Sequence, residues 1–285
     1  VNWQHLPIAL FPDALGDIYS GSAVIDWNNT AGFGREAMVA VFTHDLKGKQ
    51  SQSLAYSTDS GRNWTKYAGN PVIPAHNSRP DFRDPKVFWY GEPDAGHWVM
   101  ILASGDEILF YTSPDLKTWK RSGTFGGEHG SCVDIWETPD MFRLPVDGGP
   151  ETRWVLTLGV SRGGPGGGSA TQYFLGEFDG ETFTSENAKD TILWADYGAD
   201  YYAAQAWNDE PNNRRVMVGW LNNWMYARVV PTIAWRGALS LPRELNLRRT
   251  PTGVRLNQCP VAELKTLRRE HFHWQTETIF PGSRL

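Results

Sequence analysis

A short turn pattern recurs along the chain and limits the folds that the chain can adopt. The tripeptide Ser-Thr-Asp at 57–59 is followed by Trp64, and Ser-Pro-Asp at 113–115 is followed by Trp119. Each copy comes after an apolar run, and Ser and Asp side chains accept hydrogen bonds from nearby backbone N–H groups. The pattern therefore predicts a capped hairpin turn. Two looser copies of the pattern end at Trp3 and Phe183, so an aromatic residue marks the pattern at positions 3, 64, 119 and 183.

Apolar runs separated by turn-forming residues divide the chain into four sets of four strands. The sets are 22–27, 37–43, 51–57 and 64–68; 84–90, 97–103, 107–112 and 119–122; 135–144, 153–160, 172–178 and 183–186; and 200–207, 215–220, a strand within 237–247, and 253–257. Four-stranded units that repeat every ~55–65 residues are typical of a β-propeller. A β-sandwich with evenly spaced strands is the alternative, and the tryptophan-marked turn favours the propeller.

A fifth, partial unit precedes the four sets as an orphan strand at 1–8. The sequence therefore predicts an all-β fold, a five-bladed β-propeller whose first blade is incomplete in this chain. On a repeat of ~60 residues, we expect roughly 50 residues to be absent ahead of Val1. No helical pattern of useful length occurs before 261–268.

Charge and composition exclude several classes of protein. The 27 Lys and Arg against 32 Asp and Glu give a net charge of −5 with no basic cluster, which argues against a nucleic-acid partner. No apolar run approaches the roughly 18 residues of a membrane-spanning helix. Two cysteines, Cys132 and Cys259, cannot form a disulfide framework or a cysteine zinc site, and we expect no metal or other cofactor. The 14 tryptophans offer flat faces to ligands.

The candidate catalytic residues lie where the first strand of each set begins, because these strands line the channel of a propeller. Burial near aromatic rings raises the pKa of a carboxyl group and a guanidinium lowers it, so one carboxyl can hold a proton beside an ionised one. Glycoside hydrolysis requires such a pair. Glu137 is the strongest candidate, although a structural network explains it equally well. Asp84 could be an ion pair or turn cap, and Asp140 and Asp200 fit caps better than catalysts.

Six segments, taken together, resemble glycoside hydrolase family 32, the invertases, inulinases and levanases that act on β-fructosides. They are Tyr-Ser-Gly-Ser-Ala-Val at 19–24, Phe-Arg-Asp-Pro-Lys-Val-Phe at 82–88, Trp-Glu-Thr-Pro-Asp at 136–140, Asp-Tyr-Tyr-Ala-Ala-Gln at 200–205, Gly-Trp-Leu-Asn-Asn-Trp at 219–224 and Trp-Arg at 235–236. The segments follow the family's order, so the probability that they agree by chance is very small.

The resemblance implies a glycosidase that releases fructose from levan, inulin or sucrose with retention, through a fructosyl-enzyme intermediate. It implies that Glu137 is the general acid/base and that Asp84 stabilises the transition state, with Arg83 orienting it. Tyr19, Ser20 and Trp235 would line the fructose site. It also implies secretion, with the fructan or sucrose substrate as the partner; the oligomeric state stays open.

The sequence departs from the family's pattern in three places. Thr138 stands where the family has a cysteine, which we expect to shift the pH optimum. The family's nucleophile, the Asp of an Asn-Asp-Pro-Asn-Gly stretch, has no counterpart here, so we expect this segment alone to be impaired. The family's C-terminal β-sandwich is also missing. We therefore assign 1–260 to a β-propeller catalytic domain and 261–285 to a linker or tail.

Two other functions are compatible with parts of the sequence. A non-catalytic carbohydrate-binding propeller derived from such an enzyme is the first, but it would not need both Asp84 and Glu137. A sialidase is the second, because 57–64 resembles the Asp-box of that class. That box is a structural turn, and no cluster of three arginines with a catalytic tyrosine accompanies it.

Overall fold

The computed structural model describes residues 4–76, 81–210, 212, 214–270, 273 and 282. The described residues form four antiparallel sheets, each made mainly of strands that follow one another in the chain. Sheet 1 contains β1 (Asp17–Asp26), β2 (Ala37–Leu46), β3 (Lys49–Ser57) and β4 (Thr65–Lys66). Sheet 2 contains β5 (Phe82–Glu92), β6 (Ala95–Ser104), β7 (Glu107–Ser113) and β8 (Lys120–Gly126).

Sheets 3 and 4 each carry one short additional strand. Sheet 3 contains β9 (Trp136–Pro145), β10 (Thr152–Val160), β11 (Ala170–Phe178), β12 (Phe183–Ser185) and the short β13 (Leu193–Trp194), which pairs with β11. Sheet 4 contains β14 (Tyr202–Ala206), β15 (Val216–Leu221), the short β16 (Ala238–Leu239), β17 (Arg243–Thr250) and β18 (Gly253–Pro260). The helical pattern at 261–268 corresponds to a 3₁₀ helix, Ala262–Leu267.

The core consists of three apolar layers, one between each pair of consecutive sheets. Strand β6 shows why. Its residues Val99, Ile101 and Ala103 pack toward sheet 3, whereas Met100 and Leu102 pack toward sheet 1. Successive side chains of a strand point to opposite faces, so a strand covered on both sides is apolar throughout. The stacked sheets are the blades of a propeller.

A buried ion pair joins the first strands of three blades. The Lys86 ammonium lies 3.0 Å from the Asp140 carboxylate, and the two side chains are 3% and 0% exposed. Lys86 also donates a hydrogen bond to the Ala206 carbonyl at 2.7 Å, and the Ala206 N–H donates to Asp140 at 2.6 Å. These contacts hold β5, β9 and β14 together at the centre of the molecule.

The capped turns predicted from the repeat are confirmed. Ser57 Oγ accepts the Gly61 N–H at 2.9 Å, and Asp59 accepts the Asn63 N–H at 2.9 Å. Asp115 accepts two backbone N–H groups in the second copy, and Asp179 does the same in the looser third copy. The two tryptophans, Trp64 and Trp119, each donate their indole N–H to a carbonyl three residues earlier.

The prediction of a five-bladed propeller is wrong: the described residues form four blades. Each blade contains the four predicted strands, and sheets 3 and 4 have one short strand more, but residues 4–8 of the expected orphan strand are exposed coil. Residues 1–3 lie outside the described residues. A single strand without a hydrogen-bonded neighbour leaves its backbone groups unpaired and does not make a blade.

No helix among the described residues is long and apolar enough to span a membrane.

We predict that Asp115→Ala lowers the free energy of unfolding by about 1–2 kcal/mol, because it removes the acceptor for the Lys117 and Thr118 N–H groups. Urea denaturation measures the change. Asp94→Ala is the matched control, since Asp94 is an exposed turn residue. Equal stability of the two variants would contradict the stabilising role of the turn.

Candidate active site

Every inner strand has a β-bulge at the same end of the molecule. The inner strands are the first strands of the blades, β1, β5, β9 and β14, and in each one two residues face a single residue of the neighbouring strand. The bulged pairs are Tyr19 and Ser20, Asp84 and Pro85, Thr138 and Pro139, and Ala203 and Ala204. A bulge bends the strand and changes the direction of its side chains. Five of the six predicted site residues, all except Trp235, therefore lie in or beside the bulges.

Three of these bulges contain a residue in the left-handed region that is not glycine. The φ angles are 63° at Asp84, 48° at Thr138 and 49° at Ala203. Such conformations cost of order 1–3 kcal/mol each and persist where the surrounding structure enforces them. Within the inner strands, every non-glycine residue with such a backbone lies at the end that carries the candidate carboxyl groups.

Glu137 receives hydrogen bonds on both of its carboxyl oxygens. Arg83 donates to Oε1 from Nη2 at 2.8 Å and from Nε at 3.2 Å. The Tyr202 hydroxyl donates to Oε2. The side chain of Glu137 is 18% exposed, so it is held from within while one edge stays open to the cleft.

Arg83 and Tyr202 are both fixed as donors. Burial opposes the charge of Arg83, but hydrogen bonds to Asp81 and Glu137 outweigh it and raise the pKa of the guanidinium. Arg83 Nη1 donates to Asp81 at 2.6 Å, which orients the guanidinium from the opposite side. Burial, and then the charge of Glu137, raises the pKa of the Tyr202 phenol, so this hydroxyl keeps its proton.

Asp84 is a buried carboxyl group next to Glu137. It is 7% exposed, and its Oδ2 accepts the backbone N–H of Thr138 at 2.9 Å. Burial raises the pKa of Asp84 to about 6, and the Glu137 charge adds to this, against the lowering effects of the Thr138 N–H and of Arg83. Asp84 is thus ionised only near neutral pH and above.

The bulges open into a cleft of about 720 Å³. Of the predicted site residues, Tyr19, Ser20, Arg83, Asp84 and Glu137 all line it. Trp235 does not: it lies outside this cleft, and its side chain is 64% exposed.

The two carboxylates expected to be caps have structural partners. Asp140 belongs to the buried ion pair with Lys86. Asp200 accepts a hydrogen bond from the Tyr226 hydroxyl. Neither lines the cleft.

Several lining residues were not assigned a role from the sequence. They are Gln50, Asp81, Tyr202, Trp220, Trp224 and Arg228. Tyr202, Trp220 and Trp224 lie in segments quoted for the family resemblance, and Asp81 is two residues before Arg83, so these positions were the available signal. Gln50 accepts a hydrogen bond from Arg83, and Tyr202 donates one to Glu137; both contacts join different blades, which no local pattern reveals.

A second cleft of about 890 Å³ adjoins the first, and Glu137, Trp224 and Arg228 line both. Its own lining includes Asp134 and Arg162, whose charged groups lie 3.4 Å apart. Glu137 therefore stands at the junction of two spaces. Within the described residues, no group of three or more His, Cys, Asp or Glu side chains could hold a metal ion.

A propeller with one buried and one partly buried carboxyl group in an aromatic-lined cleft has the features of a glycoside hydrolase. The model of the family described as "Glycosyl hydrolases family 32 N-terminal domain" matches residues 1–260. The chain belongs to this family.

Relatives and solved structures agree with this assignment. The levanase of Bacillus subtilis is 53% identical over 99% of this chain and 42% of its own length. The extracellular exo-inulinase of Aspergillus niger is 39% identical over 95% of this chain and 56% of its own length. The chain thus spans about half the length of these relatives.

Two solved structures share the fold closely. The crystal structure of exo-inulinase from Aspergillus awamori has a TM-score of 0.83 at 39% identity, covering 90% of this chain and 56% of that one. Fructofuranosidase from Schwanniomyces occidentalis complexed with fructose has a TM-score of 0.83 at 34% identity, covering 92% of this chain and 52% of that one.

We predict that Asp84→Asn raises the free energy of unfolding at about pH 7.5 but not at about pH 4. The higher pH is above the pKa of Asp84 in both the unfolded and the folded chain. Because the pKa of Asp84 is raised from 3.8 to about 6 on folding, its stability contribution is present below about 4 and is lost as the pH rises through about 6. Asparagine does not ionise, so the variant avoids this loss of stability, which is about 2–3 kcal/mol. Its side-chain oxygen still accepts the Thr138 N–H.

Urea denaturation at both pH values measures the effect. Asp190→Asn, at an exposed position, is the control and should change stability by less than about 0.5 kcal/mol at either pH. An Asp84→Asn variant that is less stable than the wild type at the higher pH would contradict the raised pKa.

Proposed function

We propose that this chain forms the acid/base and sugar-binding part of a β-fructosidase that releases fructose from levan, inulin or sucrose with retention. The observation that carries the proposal is the position of Glu137, which lines both adjoining clefts. A general acid must reach the oxygen that links the departing group to the sugar, and that oxygen lies between the two binding spaces.

Glu137 protonates the glycosidic oxygen as the departing group leaves and the fructosyl group bonds to a nucleophile that we expect outside this segment. It later takes a proton from the water that breaks the fructosyl-enzyme bond. Arg83 and Tyr202 hold its carboxyl group from two sides, so the side chain keeps one orientation through both steps. Asp81 acts one step further away, because its hydrogen bond fixes the Arg83 guanidinium. Arg83 and Tyr202 are positioning residues for the acid/base.

Asp84 stabilises the positive charge that develops on the sugar ring. Its ionised form is the useful one, and its carboxylate is most effective where burial excludes water. Since the pKa of Asp84 is about 6, the active fraction rises as the pH increases through that value. The site thus keeps a carboxylate in a place where burial disfavours its charge.

The two clefts divide the substrate at Glu137. The cleft that holds Asp84, Tyr19 and Ser20 takes the fructosyl group, and the adjoining cleft with Asp134 and Arg162 takes the departing glucose or fructan. Trp224 lines both and offers an indole face to the sugar at the junction.

The relatives support this substrate class, since they are called levanase, exo-inulinase and invertase. We propose that 1–260 is the catalytic domain, and that the protein is secreted as its extracellular relatives are. The carbohydrate-binding propeller is the second candidate, favoured by the hydrogen bonds that already occupy Asp84 and Glu137. It differs from the first in one property, the ability to cleave the bound sugar.

We predict that Glu137→Gln lowers kcat for fructose release from levan, inulin and sucrose by about 10²–10⁴-fold, because glutamine cannot donate the proton. Binding of the same sugars should change little, since the amide keeps the size of the carboxyl. Hydrolysis is measured by reducing-sugar release with a protein that carries this chain, and binding by calorimetry.

Glu181→Gln makes the same chemical change at an exposed position outside the cleft and should leave kcat unchanged. Unchanged hydrolysis in Glu137→Gln would show that another group is the acid. Sugar binding without hydrolysis in the wild type would favour the carbohydrate-binding propeller.

A further inference from the structure

We infer that the chain has a second carbohydrate site, at the opposite end of the inner strands from the catalytic cleft. The site is a pocket of about 420 Å³, within the size range of roughly 300–1,000 Å³ typical of small-molecule sites. We call it the tryptophan pocket, after Trp27, Trp89 and Trp98, which line it. Its ligand is a sugar residue of a fructan; this choice of sugar rests on the proposed function.

The pocket and the cleft are built on the same strands. β1 passes the cleft at Tyr19 and ends in the pocket at Asp26, and β5 passes from Asp84 in the cleft to Trp89 in the pocket. Five to seven residues separate the two positions, which is roughly 15–25 Å at about 3.3 Å per residue. The pocket is therefore distinct from the clefts on either side of Glu137.

One wall of the pocket is already fixed by internal contacts. The Trp98 indole donates to Thr30 Oγ1 at 2.8 Å, and Thr30 in turn donates to Asp26 at 3.0 Å. The Trp89 indole donates to the Glu92 carbonyl at 3.0 Å and packs edge-on against Trp98, with ring centroids 5.1 Å apart. Because these side chains already hold their positions, little conformational entropy is lost when a ligand binds.

The other side of the pocket presents polar groups that have few partners. Trp27 is 55% exposed, and its indole N–H donates to no group among the described residues. Arg215 is partly buried, donates to the Trp207 carbonyl at 2.7 Å and lies over the Phe142 ring, 5.0 Å from its centroid. No carboxylate of the described residues lies within ion-pair distance of it. Burial lowers the pKa of this guanidinium against the attraction of Asp140 and Asp209. Asp209 is exposed and lines the pocket.

A sugar residue matches this arrangement better than a purely apolar or a highly charged ligand. It has an apolar C–H face, which suits the indole of Trp27, and hydroxyl groups on its edge, which suit Arg215 and Asp209. The two side chains carry opposite charges, so together they fit neutral hydroxyl groups that both donate and accept. A fructan held here and in the cleft would be retained longer than at either site alone.

The test is a titration of the Glu137→Gln protein with 1-kestose, followed by NMR of the tryptophan indole N–H groups. We expect the Trp27 and Trp224 signals to shift with separate binding curves. Trp27→Ala should remove the binding event at the pocket, or weaken it about tenfold, and leave that of Trp224 intact. Trp27→Phe should keep part of the affinity, and Asp209→Asn should weaken binding at the pocket alone. The control is Trp207→Ala, since Trp207 is 50% exposed and does not line the pocket.

The outcomes separate this proposal from the proposed function. Shifts at Trp224 without any at Trp27 would overturn the tryptophan pocket and leave the catalytic assignment standing. Shifts at Trp27 without any at Trp224 would support the pocket and count against the catalytic assignment. A Trp27 signal that moves with cellotriose but not with 1-kestose would overturn the assignment to fructan.

Discussion

The buried contact of Lys86 with Asp140 is the interaction on which the site depends. Lys86 follows the bulge of β5, Asp140 follows the bulge of β9, and both bind the backbone of Ala206, just beyond the bulge of β14. Removing one partner of a buried ion pair leaves an uncompensated charge, at a cost of about 3–5 kcal/mol. The pair thus fixes the register of three blades at a point two residues from Asp84.

The position of that contact explains how the two candidate carboxyl groups meet. With three inner strands fixed beyond the bulges, the bulged residues have little freedom, and the Thr138 N–H reaches Asp84. The same geometry places Arg83 of one blade and Tyr202 of another on the two oxygens of Glu137. The raised pKa of Asp84 is a consequence, since a carboxyl held in that position is shielded from water. In the proposed mechanism, stability is given up there for a group that stabilises the transition state.

Local patterns predicted much of the fold because the turns are local. The hydrogen bonds of Ser57 and Asp59 close within a few residues, and the sequence shows every group involved. The number of blades was not predictable in this way, since a turn pattern predicts the end of a strand and not a complete sheet. The bulges were also hidden, because Asp84, Thr138 and Ala203 adopt left-handed backbone without a glycine to mark them. Strand starts pointed to Asp84 and Glu137, but Tyr202 and Asp81 gain their roles only from contacts between blades or with Arg83.

A crystal structure of the protein with fructose bound tests the central claim most directly. We expect fructose in the cleft beside Tyr19 and Ser20, with its hydroxyl groups hydrogen-bonded to Asp84 and its anomeric oxygen within hydrogen-bond distance of Glu137. Fructose bound outside that cleft, or bound there without contact to either carboxyl group, would contradict it.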